Sequence, residues 1–158
     1  MAEAWFYHLT ERTLEATAPE LLERCLARGW RAVVRLGDPA RLESLDRRLW
    51  TYREEGFLPH GSPADGRAER QPIWLTTGTE TPNGAAFLML AAGAEARPEE
   101  MARFERTALV FDGADPAALA GAREAWRAAT AAGLKAVYWA EEGGRWVKKR
   151  EIEGGGTT

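Results

Sequence analysis

Cysteine, histidine and long apolar runs are all scarce in this chain of 158 residues. The single cysteine, Cys25, excludes an intrachain disulfide framework, and two histidines give little basis for a metal centre. No apolar run approaches the roughly 20 residues that cross a bilayer, and the N-terminus lacks the residue order of a signal peptide. We therefore expect a cytoplasmic protein without a structural metal or another cofactor.

An excess of positive charge is also missing. The formal net charge is -3 and the isoelectric point is near 5.5, so the chain lacks the basic footprint of a general nucleic-acid binder. Hydrophobic residues make up 45% of the chain and charged residues 28%, a balance that is typical of a soluble globular protein. The length suits one domain, which we predict over residues 1–153, followed by a flexible glycine-rich tail over 154–158.

Strand and helix patterns alternate in the first half of the chain. They predict a strand over 5–9, a helix from a Thr-x-x-Glu capping box at 17–20 to Gly29, a strand over 30–36, and a helix from Pro39 to near Trp50. Residues 51–71 hold three glycines and two prolines among charged side chains. That composition predicts the longest irregular connection of the chain.

The second half continues the alternation. Its patterns predict strands over 73–76, 86–90 and 108–111, helices over 98–104 and 115–132, and a terminal strand or hairpin over 135–140 and 145–147. Strands that alternate with helices indicate a mostly parallel sheet. The predicted fold is a single-domain, Rossmann-like, three-layer α/β sandwich with helices on both faces of that sheet.

The sequence motifs of an enzyme are missing from this predicted fold. The chain has neither a G-x-x-x-x-G-K-[ST] loop nor a G-x-G-x-x-G after its first strand, and the turn over 10–16 holds no glycine. Cys25 falls on the apolar face of a predicted helix, which favours a buried side chain over an activated thiolate. His8 lies within an aromatic strand, where packing is the simpler expectation. A Rossmann-type enzyme would need a degenerate nucleotide site.

Six short segments nevertheless form a specific combination: WFYHL at 5–9, LDRRLW at 45–50, FLPHG at 57–61, QPI at 71–73, VFD at 110–112 and AREAW at 122–126. In their order and spacing, over nearly the whole chain, they resemble the chi subunit family of bacterial DNA polymerase III. The resemblance implies a non-catalytic accessory subunit with a Rossmann-like fold and no nucleotide site. Such a subunit links the clamp loader to single-stranded-DNA-binding protein.

The resemblance also implies a binding site for the acidic, disordered C-terminal tail of that partner. A tail of this kind requires an apolar pocket edged by cations. Arg123 matches the arginine of the family's tail site, and Trp50 and Phe57 match aromatic positions beside it. Arg127 lies four residues after Arg123, on the same helix face. His60 stands in the segment FLPHG at 57–61, where an apolar pair and a proline interrupt a polar loop, either as a hydrophobic staple or as part of the binding surface.

One position departs from the family pattern. Leu119 stands about one turn before Arg123, where the family often has another basic residue, so that Arg127, Arg47 or Arg48 would have to compensate. We expect the last helix and the segment after the second helix to be neighbours, because Arg123, Trp50 and Phe57 would then share one pocket.

No motif marks a contact with the psi subunit of the clamp loader. Trp126, Trp139 and Trp146 would suit such an interface if they were exposed, although core packing is the commoner fate of tryptophan. Two other functions remain open at this point. One is the enzyme with a degenerate nucleotide site, and the other is a direct single-stranded-DNA binder that uses Trp50, Phe57 and nearby arginines.

Overall fold

The computed structural model describes residues 2–51 and 59–154. Strands and helices alternate along these residues, and one short 3-10 helix interrupts the alternation. In chain order they are β1 Glu3–Leu9, α1 Leu14–Ala27, β2 Ala32–Leu36, α2 Pro39–Trp50, the 3-10 helix Ala68–Arg70, β3 Ile73–Thr76, β4 Phe87–Ala91, α3 Pro98–Met101, β5 Arg106–Asp112, α4 Pro116–Ala131, β6 Lys135–Glu142 and β7 Arg145–Ile152.

The strands form one seven-stranded sheet in the order β3-β2-β4-β5-β1-β6-β7. Every neighbouring pair is parallel except β6 and β7, which form an antiparallel hairpin at one edge. The predicted α/β class and the mostly parallel sheet are confirmed. In the described part of the chain, no helix is long and apolar enough to cross a membrane.

The sheet separates two hydrophobic cores, because successive side chains of a strand point to opposite faces. Tyr7 and Leu9 of β1 belong to the core beneath α1 and α2, whereas Phe6 belongs to the core beneath α4. We call these two sides the α1/α2 face and the α4 face. Helix α2 packs on β2 and β3, while α4 packs on β1, β5 and β6, so the helices lie on opposite faces and over different strands.

Helix α1 begins three residues before the predicted capping box. Thr13 is the N-cap, and its side chain accepts a hydrogen bond from the backbone of Ala16 at 3.1 Å. Pro19 consequently lies inside the helix, where it cannot donate to the carbonyl of Glu15. Arg48 of α2 donates its Nε to that carbonyl instead, at 3.3 Å. A contact between two helices thus replaces a bond within one, which a local sequence pattern does not reveal.

Most other boundaries agree with the predictions to within two or three residues. The strand over 73–76 and the helix from Pro39 to Trp50 are confirmed, and the helix predicted over 115–132 spans Pro116–Ala131, with Asp115 as its N-cap. Helix α3 ends earlier than predicted, at Met101. Strand β7 is longer than predicted and continues to Ile152. It pairs with β6 from Ala136 to Glu142, with a register shift between Tyr138 and Trp139.

The irregular connection after α2 is described from residue 59 onward, and Phe57 lies outside the described residues. Gly61 forms an isolated parallel bridge with Trp74 of β3. Its backbone donates to the carbonyl of Ile73 at 2.9 Å and accepts from Leu75 at 2.8 Å. The loop therefore covers the exposed edge of the sheet at β3. Of the predicted tail over 154–158, residues 155–158 lie outside the described residues.

Candidate protein-binding surfaces

The turn after β1 already holds an anion, supplied by the chain itself. One carboxylate oxygen of Glu141 accepts hydrogen bonds from the backbone N–H groups of Thr10, Glu11 and Arg12, at 3.1, 3.1 and 3.0 Å. Burial raises the pKa of this carboxyl, but the three backbone donors outweigh burial and hold the pKa below its ordinary value. These N–H groups occupy the place where a Rossmann nucleotide site binds phosphate. Here they bind an internal carboxylate.

Cys25 is buried on the core side of α1, as its sequence position predicts. Burial raises the pKa of its thiol to about 12, so the thiolate is not populated near neutral pH. Within residues 2–51 and 59–154, no group of three or more acidic, histidine or cysteine side chains is arranged to hold a metal ion.

The C-terminal end of α2 presents an aromatic surface, which we call the α2 surface: Asp46, Arg47, Trp50 and His60. Trp50 is 50% exposed and is the one large hydrophobic side chain that is exposed among the described residues. Its ring meets the His60 ring edge to face, with 5.1 Å between centroids. His60 is itself buried, and its Nε2 lies 2.8 Å from Oδ1 of Asp46. Arg47 is exposed in the last turn of α2.

Helix α4 presents a cationic surface. Arg123 and Arg127 are both exposed, four residues apart. Arg127 donates to the carboxylate of Glu124 at 2.6 Å, in a solvent-exposed pair that contributes little to stability. Arg123 makes no ion pair with any described residue. Its charge is therefore available to an anion from solution.

Aromatic rings lie directly beside these arginines. Trp126 meets Phe6 at 5.2 Å and Tyr138 at 5.9 Å between ring centroids, in edge-to-face contacts. Both Trp126 and Tyr138 are partly exposed. Burial raises the pKa of Tyr138, and the positive charge of Arg123 opposes that rise. Arg123 lies three residues before Trp126 on α4, and side chains at this spacing are neighbours on a helix surface. We call Arg123, Trp126, Arg127 and Tyr138 the α4 surface.

The structure does not bring the two surfaces together. Arg123 and Arg127 lie on the α4 face, whereas Trp50 and His60 lie at the end of α2 on the α1/α2 face, with the sheet between them. The expectation that Arg123 shares one pocket with Trp50 is therefore wrong, and Phe57, the other aromatic residue of that expectation, lies outside the described residues. The reason is topological, because the α1 and α2 crossovers run on one face and the α4 crossover runs on the other.

The other sequence candidates have simpler roles. Leu119 is partly buried and packs against the core of the α4 face. Arg48 is engaged with the Glu15 carbonyl and is not directed to the α4 surface. Trp139 and Trp146 are partly buried against the core of the α1/α2 face. Of the three C-terminal tryptophans, Trp126 alone lies on the α4 face.

Sequence reasoning missed Tyr138, Arg150 and Glu141. The guanidinium carbon of Arg150 lies 5.6 Å from the centroid of the Trp126 ring. A period of two in β6 could have placed Tyr138 on the same face as Phe6, with which it is paired in register. Arg150 and Glu141 carry no comparable signal, because the Trp126 ring that Arg150 faces and the backbone N–H groups that Glu141 binds are more than twenty residues away in the sequence.

Known proteins match most of this chain. A family model described as "DNA polymerase III chi subunit, HolC" matches residues 1–137. The chain is 31% identical over 90 residues to "Probable DNA polymerase III subunit chi" of Rickettsia prowazekii (strain Madrid E), which covers 57% of this chain and 54% of that protein. It is 35% identical over 111 residues to "DNA polymerase III subunit chi" of Pseudomonas aeruginosa, and this match covers 70% of this chain and 74% of that protein. The matched region thus spans about half the length of the first relative. On the match to the family model, the chain belongs to the chi subunits of DNA polymerase III, which are accessory components of DNA replication.

Proposed function

We propose that this chain is a non-catalytic subunit that binds the acidic C-terminal tail of single-stranded-DNA-binding protein and links it to the clamp loader. The observation that carries the proposal is the α4 surface. There Arg123, which forms no ion pair with a described residue, lies one helical turn before Trp126, whose partly exposed ring contacts that of Tyr138. An apolar tail residue with a free carboxylate needs this combination of ring and cation.

The α4 surface suits a tail in charge as well as in shape. Arg123 can pair with the terminal carboxylate, and Arg127 can exchange its exposed Glu124 partner for an aspartate of the tail at little cost. Trp126 and Tyr138 supply apolar contact for the last side chain. The proposed tail site thus keeps Arg123 and Arg127, with Trp126 and Tyr138 in place of Trp50 and Phe57.

The α2 surface supports the second half of the proposal, the link to the clamp loader. Trp50 is half-exposed and rests on the buried His60, so its ring is presented in a fixed orientation. Exposed, well-supported tryptophans are typical anchors of protein interfaces. We assign the exposed Trp50 and Arg47 to contact with a clamp-loader partner such as psi, and the buried His60 to the support of Trp50. Phe57, which lies outside the described residues, belongs to the same proposal because it is close to them in the sequence.

The test is a titration with a fluorescein-labelled peptide that has three aspartates ahead of an isoleucine and a terminal phenylalanine with a free carboxylate. Replacing Arg123 by Ala removes a charge-assisted hydrogen bond, for which a loss of about 1.5–3 kcal/mol is expected, or roughly ten- to a hundredfold in affinity. Amidation of the peptide terminus should have the same effect on the wild type. Affinity should also fall as salt rises.

The matched control is Arg145→Ala, which removes an exposed arginine at the start of β7. This control should bind as the wild type does. Equal affinity of the Arg123→Ala variant and the wild type, with both folded by circular dichroism, would overturn the proposed tail site.

Two further titrations separate the alternative functions. ATP should show no saturable binding at micromolar concentration, because Glu141 holds the amides that a phosphate would need. A labelled single-stranded oligonucleotide should bind more weakly than the acidic peptide. Saturable ATP binding would favour an enzyme, and tighter oligonucleotide binding would favour a direct single-stranded-DNA binder.

A further inference from the structure

The last strand of the sheet adds a cation to the α4 surface. The family model matches residues 1–137, so β7, which spans Arg145–Ile152, lies entirely beyond the matched region. Arg150 of β7 is paired in register with Tyr138 of β6, and paired residues direct their side chains to the same face of a sheet. Arg150 therefore lies on the α4 face, beside the ring of Trp126.

The charge of Arg150 is not used within the described part of the chain. It is exposed and forms no ion pair there, in contrast to its neighbours Lys148 and Lys149, which pair with Glu151 and Glu142. Its contact with the Trp126 ring keeps the guanidinium near that ring while leaving its N–H groups open to water. An oriented arginine without a carboxylate partner is suited to bind an anion.

We infer that Arg150 is a third cation of the acidic-tail site, and that it contacts an aspartate upstream of the terminal carboxylate. This inference rests on the proposed function of the α4 surface. Arg123 lies one turn before Trp126 on α4, and Arg150 faces the Trp126 ring and is paired in register with Tyr138. A peptide whose last side chain contacts these two rings therefore has one cation near its terminus and another within reach of its preceding residues.

Arg150 also compensates for a basic residue that is missing from α4. The residue one turn before Arg123 is Leu119, which packs into the core of the α4 face and cannot supply charge. Arg150 supplies a positive charge to the same surface from the sheet instead of the helix. Arg150 belongs to β7, an edge strand that forms a hairpin with β6. This strand therefore contributes a positive charge to the α4 surface without any change in α4.

The inference is tested with the full chain and two peptides, the acidic peptide described above and a copy in which its three aspartates are asparagines. Arg150→Gln should weaken binding of the acidic peptide about three- to fivefold, as expected for an exposed ion pair. It should leave binding of the asparagine peptide within twofold of the wild type. Arg145→Gln on the same strand is the matched control and should change neither affinity.

The outcomes distinguish this inference from the function on which it rests. If the wild type binds neither peptide, the proposed tail site itself fails. If Arg123→Ala weakens binding but Arg150→Gln behaves like Arg145→Gln, the tail site stands and the role of Arg150 is refuted. An equal loss with both peptides would also refute it, since Arg150 would then act by supporting Trp126. Arg150→Glu provides a second test, because it should weaken binding of the acidic peptide more than Arg150→Gln does.

Discussion

Nε2 of His60 lies 2.8 Å from Oδ1 of Asp46, and this contact ties the loop that precedes β3 to the helix α2. The His60 side chain is fully buried, whereas that of Asp46 is partly exposed. The same imidazole ring packs edge to face against the indole ring of Trp50. A buried side chain of the loop thus sets the position of the exposed aromatic residue on which the α2 surface depends.

Replacing His60 by Ala should destabilise the fold by about 2–3 kcal/mol, because it removes buried contacts and a hydrogen bond together. Asp46→Asn retains a polar partner and should cost less, about 0.5–1.5 kcal/mol. Urea unfolding followed by tryptophan fluorescence measures both changes. Arg47→Ala, on the exposed side of the same helix, serves as the control and should be nearly neutral. If His60→Ala is as neutral as Arg47→Ala, His60 does not anchor the loop.

Much of the architecture could be predicted from the sequence, because it depends on local patterns. Asp38 and Asp115 each precede a proline that opens a helix, and in the structure each caps the helix with its side chain. The continuous apolar run at Ile73–Thr76 forms a fully buried strand. Both kinds of signal involve residues that are close together in the chain.

The arrangement of the site could not be predicted in the same way. Whether a crossover helix lies on one face of the sheet or the other decides if Arg123 and Trp50 are neighbours, and no local pattern encodes that choice. The resemblance supplied Arg123 for the proposed tail site, but it placed Trp50 beside that arginine instead of Trp126 and Tyr138. The start of α1 was missed for a related reason, since a bond from Arg48 makes Pro19 tolerable inside the helix.

Gly113 is predicted to tolerate no side chain, because a β-carbon there would lie 1.8 Å from Nε2 of His8. His8 cannot move away freely, since its Nδ1 shares a 2.8 Å hydrogen bond with the Tyr138 hydroxyl and its ring packs on Phe111. Gly113→Ala should therefore destabilise the protein by about 1–3 kcal/mol, the usual cost of overpacking. Thermal or urea unfolding measures the loss.

The double variant of Gly113→Ala with His8→Ala separates this clash from any backbone effect at residue 113. Removing the imidazole makes room for the new methyl group. His8→Ala should therefore lower the free energy of unfolding less in the Gly113→Ala background than in the wild type. Strictly additive losses would show that His8 is not the obstacle.

Glu141 should make stability depend on pH in the acidic range. Its pKa is held below the ordinary value of 4.5 in the folded protein by the backbone of Arg12, Thr10 and Glu11. The unfolded chain therefore binds a proton more readily, so this stabilisation is present above the ordinary pKa and is lost as pH falls through the folded pKa. Glu141→Gln removes the carboxylate and with it this pH-dependent contribution.

At neutral pH, Glu141→Gln should lower the free energy of unfolding by about 1.5–3 kcal/mol, the range for hydrogen bonds to a charged group. The difference from the wild type should shrink as the pH is lowered from about 6 to 3. Urea unfolding at a series of pH values measures it. Glu142→Gln is the control, because that neighbouring carboxylate is exposed. A difference that does not change with pH would contradict this role for the Glu141 carboxylate.

Trp50→Ala should leave the affinity for the acidic tail peptide within twofold of the wild type, because the sheet separates Trp50 from Arg123. The same substitution should weaken binding of the clamp-loader partner by tenfold or more, as expected for an aromatic anchor of an interface. Arg123→Ala should show the opposite pattern. Fluorescence titration with the peptide and calorimetry with the partner measure the two affinities on the same preparations. A loss of peptide affinity with Trp50→Ala comparable to that with Arg123→Ala would mean that the tail spans both faces, and the assignment of two separate surfaces would be wrong.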